Sequence, residues 1–191
     1  MQNIEKHKNI VIATRNSVDS VFRFVDMAII TGETNYNTLN QKLNYAVRNK
    51  KILNLRRGIY AKSTFSYEEF ANKLFTPSYI SMEYVLMHNG IIQSADDTIT
   101  SVCYLSRKTS VNKQTLSYHK FKPEILINPL GIIRKNSVNI ATSERAFLDL
   151  LYLGKQYDFI NLDTLNIAEI KKILPIYNSK KLSDFVKNLL Q

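Results

Sequence analysis

The sequence has little cysteine, glycine or proline and no tryptophan. Of its 191 residues, one is cysteine (Cys103), five are glycine and four are proline. A single thiol cannot form an internal disulfide or a cysteine-based metal site, and glycines this few and scattered exclude a phosphate-cradling loop. No run of about 18 apolar residues is present, so no membrane-spanning helix and no membrane partner are predicted. Together with the lack of a signal-peptide core at the N-terminus, these absences favour the cytoplasm.

Acidic residues are also scarce, and mainly in one part of the chain. There are 26 Lys and Arg against 16 Asp and Glu, a formal net charge of +10. Residues 1–62 contain 11 basic and 4 acidic residues, a net +7, whereas residues 63–191 contain 15 and 12, a net +3. This asymmetry is typical of a nucleic-acid-binding segment joined to a more neutral one. We therefore predict two domains, 1–62 and 63–191. Basic proteins that bind no nucleic acid also exist, so the charge alone does not decide whether the first domain binds DNA.

The basic block begins with two helices separated by a turn. A weakly periodic segment over residues 4–13 is predicted to be a short helix or arm. Asp26 is predicted to cap a helix over residues 27–31, and Gly32 to end it. The strongest helix follows, from about Thr38 to Asn49, with an apolar stripe on one face. The stripe consists of Leu39, Leu43, Ala46 and Val47.

The opposite face of this second helix is polar but nearly uncharged. Its amide and hydroxyl groups can both donate to and accept from base edges in a DNA major groove, although a plain solvated face is the alternative. The candidate base-reading residues are Asn37, Thr38, Gln41, Asn44, Tyr45 and Arg48.

A short basic hairpin follows the second helix. Residues 52–55 and 59–61 are β-prone and flank a glycine turn, which predicts two antiparallel strands. A helix, a turn, a polar-faced helix and a basic hairpin form the layout of a winged helix-turn-helix, although a solvated surface turn is the simpler interpretation of the hairpin alone. The candidate phosphate-contacting and wing residues are Lys42, Lys50, Lys51, Arg56, Arg57 and Gly58.

The second block mixes β-prone runs with helical patterns. Strands are predicted at residues 99–105, 114–121 and 125–127, and a helix at residues 144–153. The predicted fold class is therefore α+β: an N-terminal winged helix-turn-helix followed by a mixed α/β C-terminal domain. Arg145 is predicted to reach Asp149 one helical turn further on.

Three passages resemble the AbiEi family of bacterial type IV antitoxins and their winged-helix relatives. They are residues 55–60 (LRRGIY), 77–91 (PSYISMEYVLMHNGI) and 140–153 (IATSERAFLDLLYL). The resemblance extends over residues 15–155, while the segment after it matches only as a loose helical tail.

The resemblance implies an autorepressor that acts as an antitoxin. The N-terminal domain would bind inverted repeats of double-stranded DNA in the operon's own promoter, as a monomer that pairs on DNA or as a weak dimer. The genetic partner would be a nucleotidyltransferase-like toxin, without a stable complex. Glu144 and Arg145 would mark a candidate antitoxin surface. A stand-alone winged-helix regulator without a toxin stays open as an alternative, and a DNA-targeted enzyme is a third.

No constellation of residues predicts catalysis, a metal or a cofactor. His7, His88 and His119 are far apart in the sequence and lack metal-ligand spacing. Glu169 and Lys171 match the end of a metal-dependent nuclease signature, but they lie in a helical pattern where that chemistry needs a strand. We therefore expect a protein that is not an enzyme and has no cofactor.

Overall fold

The fold is described from a computed structural model, which covers residues 9–93, 96–155 and 157–189. The chain divides between Leu74 and Phe75 into two compact units, which we call the N-terminal unit and the C-terminal unit. The boundary predicted from charge, between residues 62 and 63, lies within the N-terminal unit. None of the helices in the described segments has both the length and the apolar character needed to cross a membrane.

The N-terminal unit contains four helices and a small antiparallel sheet among its described residues. In chain order the elements are α1 (Ile10–Asn16), β1 (Val21–Arg23), α2 (Phe24–Thr31), α3 (Tyr36–Arg48), β2 (Leu53–Arg56), β3 (Ile59–Ala61) and α4 (Tyr67–Leu74). Strand β3 pairs with both β1 and β2, giving the order β1-β3-β2. The predicted hairpin is therefore present. Residues 4–8 of the helix or arm predicted over residues 4–13 lie outside the described residues, and His7 is among them.

Helix α2 begins earlier than the sequence indicates. Asp26 is not its N-cap but its third residue, where the carboxylate accepts a hydrogen bond from the backbone N–H of Arg23 at 2.9 Å. Gly32 ends the helix with φ +68°, as predicted. Asn35 caps α3 by accepting from the N–H of Thr38 at 3.0 Å. The turn between α2 and α3 is consequently shorter than predicted.

The core of the N-terminal unit explains which face of α3 points outward. Leu39, Leu43 and Ala46 are buried, and Val47 is partly buried against them, as the apolar stripe predicts. They pack with residues from α1, β1, α2 and the hairpin, namely Ile10, Phe22, Met27, Ile52 and Tyr60. Because the buried stripe occupies one side of the helix, the predicted readout residues are turned towards solvent.

Helix α4 belongs to the N-terminal unit because a buried carboxylate attaches it to β1. Glu69 accepts hydrogen bonds from the backbone N–H groups of Ser20 at 2.8 Å and Val21 at 3.1 Å. The ammonium of Lys73 lies 3.2 Å from Glu69 and 2.7 Å from Asp19. Burial alone would lower the pKa of Lys73, but these carboxylates outweigh it and raise the pKa. Glu69 and Lys73 lie after residue 62, where the charge pattern gave no sign of a continuing domain.

The C-terminal unit is built on a six-stranded mixed sheet. Its elements are β4 (Ser78–Ile80), α5 (Glu83–His88), β5 (Ile99–Cys103), β6 (Arg107–Val111), β7 (Gln114–Lys120), α6 (Pro123–Leu126), β8 (Ile132–Lys135), β9 (Val138–Ala141), α7 (Ser143–Tyr152), α8 (Ile167–Ile173) and α9 (Lys180–Leu189), with short 3-10 helices at Leu162–Thr164 and Leu174–Tyr177. The strand order is β6-β7-β5-β4-β9-β8, parallel for β5/β7 and β4/β9 and antiparallel elsewhere. The fold class is α+β, as predicted.

One predicted strand of this unit is a helix. The apolar run at residues 125–127 suggested a strand, but α6 begins at Pro123 and includes Ile125 and Leu126. Proline fixes φ near the helical value and lacks the N–H that a first helical residue does not use, so it favours a helix start. The prediction was therefore wrong for this segment.

Candidate nucleic-acid interface

The outward face of α3 presents a row of polar side chains. Asn37, Gln41, Asn44 and Arg48 are all exposed, and their spacing places them in one line along the helix. The row is about 16 Å long at 1.5 Å per residue. Within the described chain none of these four side chains is engaged in a hydrogen bond or ion pair, so their donors and acceptors face solvent.

Two further predicted readout residues border this row. Tyr45 is 71% exposed, and its hydroxyl extends the outward face on one side. Thr38 is half-buried and lies in the first turn of the helix. All six predicted readout residues therefore lie on one helix, with five of them exposed.

Four of the predicted phosphate-contacting residues flank α3 and the hairpin turn. Lys50 and Lys51 are exposed directly after α3, held there by backbone hydrogen bonds from their N–H groups to the carbonyls of Val47 and Ala46, both at 2.9 Å. Arg57 is exposed at the hairpin turn, and Arg56 is half-buried.

Lys42 differs from Lys50 and Lys51 because it already has an ion-pair partner. Its ammonium donates to Glu33 at 2.7 Å, which bridges α3 to the turn before it. This hydrogen bond is the main reason that the pKa of Glu33 is lowered. A phosphate contact by Lys42 would therefore have to compete with the carboxylate.

The hairpin turn has a conformation that requires glycine. Gly58 has φ +77°, in the left-handed region, although an added Cβ would meet no atom of the described residues within 4 Å. The carbonyl of Gly58 accepts a hydrogen bond from the N–H of Phe24 at 2.9 Å. The turn is thereby attached to the start of α2.

Tyr36 is a candidate that the predicted site omits. It is the first residue of α3, is 67% exposed, and its ring lies 4.7 Å from that of Phe24 between centroids. Its position next to Asn37 was the available signal, but it fell in the segment predicted to be a turn. An exposed aromatic ring with a hydroxyl can contact both a sugar and a phosphate.

Arg145 was predicted to belong to a candidate antitoxin surface, and its position in the structure contradicts this. Its side chain is 0% exposed, so it cannot form part of a surface. The guanidinium donates to the Tyr79 hydroxyl and the Ile125 carbonyl, both at 2.7 Å, and its Nε lies 3.3 Å from Asp149, as predicted for that pair. Burial is the largest influence and is unfavourable for the charged guanidinium, but Asp149, Tyr177 and Tyr79 together outweigh it and the pKa of Arg145 is raised. Arg145 is therefore a core residue.

Two acidic residues of α7, Asp149 and Glu144, are also held by hydrogen bonds within the C-terminal unit. Asp149 is also 0% exposed and accepts hydrogen bonds from Tyr177 and Ser81, both at 2.7 Å. Burial raises the pKa of Asp149, while these donors and Arg145 act in the opposite direction. Glu144 is half-buried, and its carboxylate accepts from the N–H of Asn166, the N-cap of α8.

The described residues contain no group of three or more His, Cys, Asp and Glu side chains placed to hold a metal ion. The ring of His88 meets the carbonyl of Tyr84 at 2.7 Å near the end of α5. Glu169 and Lys171 lie on α8, a helix.

Compared with protein-family models and with curated proteins, the chain matches none of them.

Proposed function

We propose that this protein binds double-stranded DNA through its N-terminal unit, as a winged helix-turn-helix, and represses its own promoter as the antitoxin of a type IV toxin–antitoxin system. The single observation that carries the DNA-binding part is the outward face of α3. It combines amides, hydroxyls and one guanidinium, without a single carboxylate, beside a basic hairpin in the same compact unit.

The order of elements supports the winged-helix interpretation. A helix, a strand, two helices joined by a short turn and a β-hairpin follow one another, and the first strand pairs with the hairpin. In a helix-turn-helix the second helix enters the major groove, so α3 would be the recognition helix. A major groove is about 12 Å wide and admits an α-helix.

The readout residues of α3 and the basic residues beside them would make different kinds of contact with DNA. Amides such as Gln41 and Asn44 can make bidentate contacts with adenine, and Arg48 with guanine, each worth roughly 1–3 kcal/mol of discrimination. Lys50, Lys51 and Arg57 would neutralise phosphates, which supplies affinity that falls steeply with salt but little sequence information.

The antitoxin part of the proposal rests on the resemblance of three sequence passages and not on the geometry. A stand-alone regulator would use the same DNA-binding unit and differ only in having no toxin partner. Co-expression with the neighbouring gene separates the two: growth arrest that this protein relieves supports the antitoxin, and a harmless neighbour or unrelieved arrest supports the stand-alone regulator.

A mobility-shift assay with the protein's own upstream DNA tests the DNA-binding part. The variant is Arg56→Ala with Arg57→Ala, in the hairpin between β2 and β3. A matched control is Arg134→Ala with Lys135→Ala, an exposed basic pair on β8 that leads into the β8–β9 hairpin of the C-terminal unit.

We expect the first double variant to bind all DNA sequences more weakly and to flatten the salt dependence, by about 2 in the log–log slope if both residues contact phosphates. The control should keep both the affinity and the slope of the wild type. Micromolar, salt-insensitive binding by the wild type with no preference for its own DNA would contradict the proposal.

A further inference from the structure

The N-terminal unit contains a cleft beside the outward face of α3. It has a volume of about 870 Å³ and lies between the start of α1 and the middle and end of α3. Small ligands occupy clefts of roughly 300–1,000 Å³ in proteins. Gln41 and Tyr45 line this cleft and also belong to the proposed readout face. An occupant of the cleft and a DNA duplex would therefore need the same two side chains.

The wall of the cleft is largely apolar and includes one aromatic ring. Ile10 and Ala46 are buried beneath it, and Val11 is half-buried at its side. The ring of Tyr45 is 71% exposed and borders the same space. A flat apolar ligand could stack on this ring, since aromatic pairs contribute beyond their buried area.

The charged groups of the cleft favour an anion. Among the described residues, its lining includes Lys42 and Lys51 but no carboxylate. Glu33 already pairs with Lys42 at 2.7 Å, whereas Lys51 is exposed and has no ion-pair partner within the described residues. The ammonium of Lys51 can therefore balance one negative charge on a ligand.

Two of the three amide side chains in the described lining are partly engaged within the protein. The side-chain oxygen of Asn9 caps α1, and the amide of Asn49 donates to the carbonyl of Tyr45 at 2.8 Å. Gln41 is the third of these amides, and its side chain makes no hydrogen bond within the described residues.

We propose that this cleft binds a small aromatic monoanion, with its ring against Tyr45, Val11 and Ala46 and its anionic group at Lys51, and that an occupied cleft keeps α3 out of a DNA groove. The binding site stands on the geometry alone, whereas the effect on DNA rests on the proposed function. Because linkage is reciprocal, the ligand weakens DNA binding by the same factor as DNA weakens ligand binding.

Fluorescence titration of the full chain with 8-anilinonaphthalene-1-sulfonate, an aromatic monoanion, tests the site without DNA. Val11→Trp fills the cleft, and Ile12→Trp adds the same bulk to the same helix at an exposed position outside the lining. We expect at least tenfold weaker probe binding for Val11→Trp and less than a twofold change for Ile12→Trp. Equal binding by both variants and the wild type would overturn the site.

A second pair of variants covers the case in which the bulky residue disturbs folding, which circular dichroism would reveal. Lys51→Gln removes the ammonium in the cleft, and Lys50→Gln removes its exposed neighbour outside the lining. Lys51→Gln should weaken probe binding several-fold and Lys50→Gln should not. Equal losses of probe affinity in both variants would mean that general electrostatic attraction and not the cleft holds the probe, which would contradict the proposal.

The effect on DNA is measured by adding saturating probe to the complex with the upstream DNA. We expect at least a fivefold loss of DNA affinity for the wild type and none for Val11→Trp. Probe binding without any effect on DNA affinity would overturn the regulatory half, while a protein that binds the probe but no DNA would contradict the proposed function and leave the site intact.

Discussion

The two units use similar polar side chains in opposite ways. Arg48 lies exposed on the outward face of α3, whereas Arg145 is completely buried on α7 with its donors directed at Asp149, Tyr79 and backbone carbonyls. On the outward face of α3 the arginine, the amides and Tyr45 are exposed to a ligand, whereas around α7 the side chains of Arg145, Tyr79 and Tyr177 form a buried network with Asp149. Residue type alone therefore does not identify a binding site, and burial separates an interface from a core network.

The largest expected effect concerns the same substitution in each unit. Arg145→Met leaves the buried Asp149 carboxylate without its cation, which destabilises by about 3–5 kcal/mol. Arg48→Met removes an exposed side chain and should change the free energy of unfolding by less than about 0.5 kcal/mol. Urea unfolding followed by circular dichroism measures both. Similar losses of stability in the two variants would remove the contrast between a core arginine and an interface arginine.

The next largest effect is that of replacing two glycines with alanine, which separates the cost of backbone strain from a loss of DNA binding. Gly58 and Gly154 have φ of +77° and +73°, and at either position an added Cβ would meet no atom within 4 Å among the residues that the structure describes. Alanine in the left-handed region costs roughly 1–2 kcal/mol, so both Gly→Ala variants should lose that stability. DNA affinity should fall only for Gly58→Ala, because only this turn presents Arg57. A fall of the same size in Gly154→Ala would show that strain and not the hairpin controls binding.

The smallest effect concerns the paired lysine of α3. Glu33→Gln releases Lys42, so we expect slightly tighter DNA binding at low salt and a salt slope steeper by about 1. Anisotropy titrations at several salt concentrations measure both quantities. An unchanged slope would mean that Lys42 contacts no phosphate.

The same pair predicts a pH dependence of stability. The hydrogen bond from Lys42 lowers the pKa of Glu33 below its ordinary value of 4.5. The stability that the Lys42–Glu33 pair contributes is therefore present above pH 4.5 and is lost as the pH falls through the lowered folded-state pKa of Glu33. The midpoint of urea unfolding should drop less between pH 7 and pH 3 in Glu33→Gln than in the wild type. An equal drop would mean that the pair adds nothing to stability.

Local patterns were sufficient to predict the main helix and the hairpin of the N-terminal unit. The 3.6-residue spacing of Leu39, Leu43 and Ala46 fixes which side of α3 is buried, and so which side is exposed. The start of α2 was misplaced because an aspartate at the third helical position resembles an N-cap in sequence.

Other features depend on contacts that no local pattern records. Strand β6 (RKTSV) lies at the edge of its sheet and carries charges instead of an alternating pattern, so it was missed. The burial of Arg145 depends on partners from distant segments, including Tyr79, Ile125 and Tyr177. The sequence predicted only its contact with Asp149, one turn away.

In the proposed function, the outward face of α3 reads DNA sequence. The most direct test is the ratio of affinities for the protein's own upstream DNA and for a scrambled duplex of equal length at one salt concentration, in the wild type and in Gln41→Ala with Asn44→Ala. We predict that the double variant lowers this ratio at least tenfold while its affinity for the scrambled duplex stays within about twofold, since the phosphate contacts remain. A ratio that is unchanged in the double variant would contradict the claim.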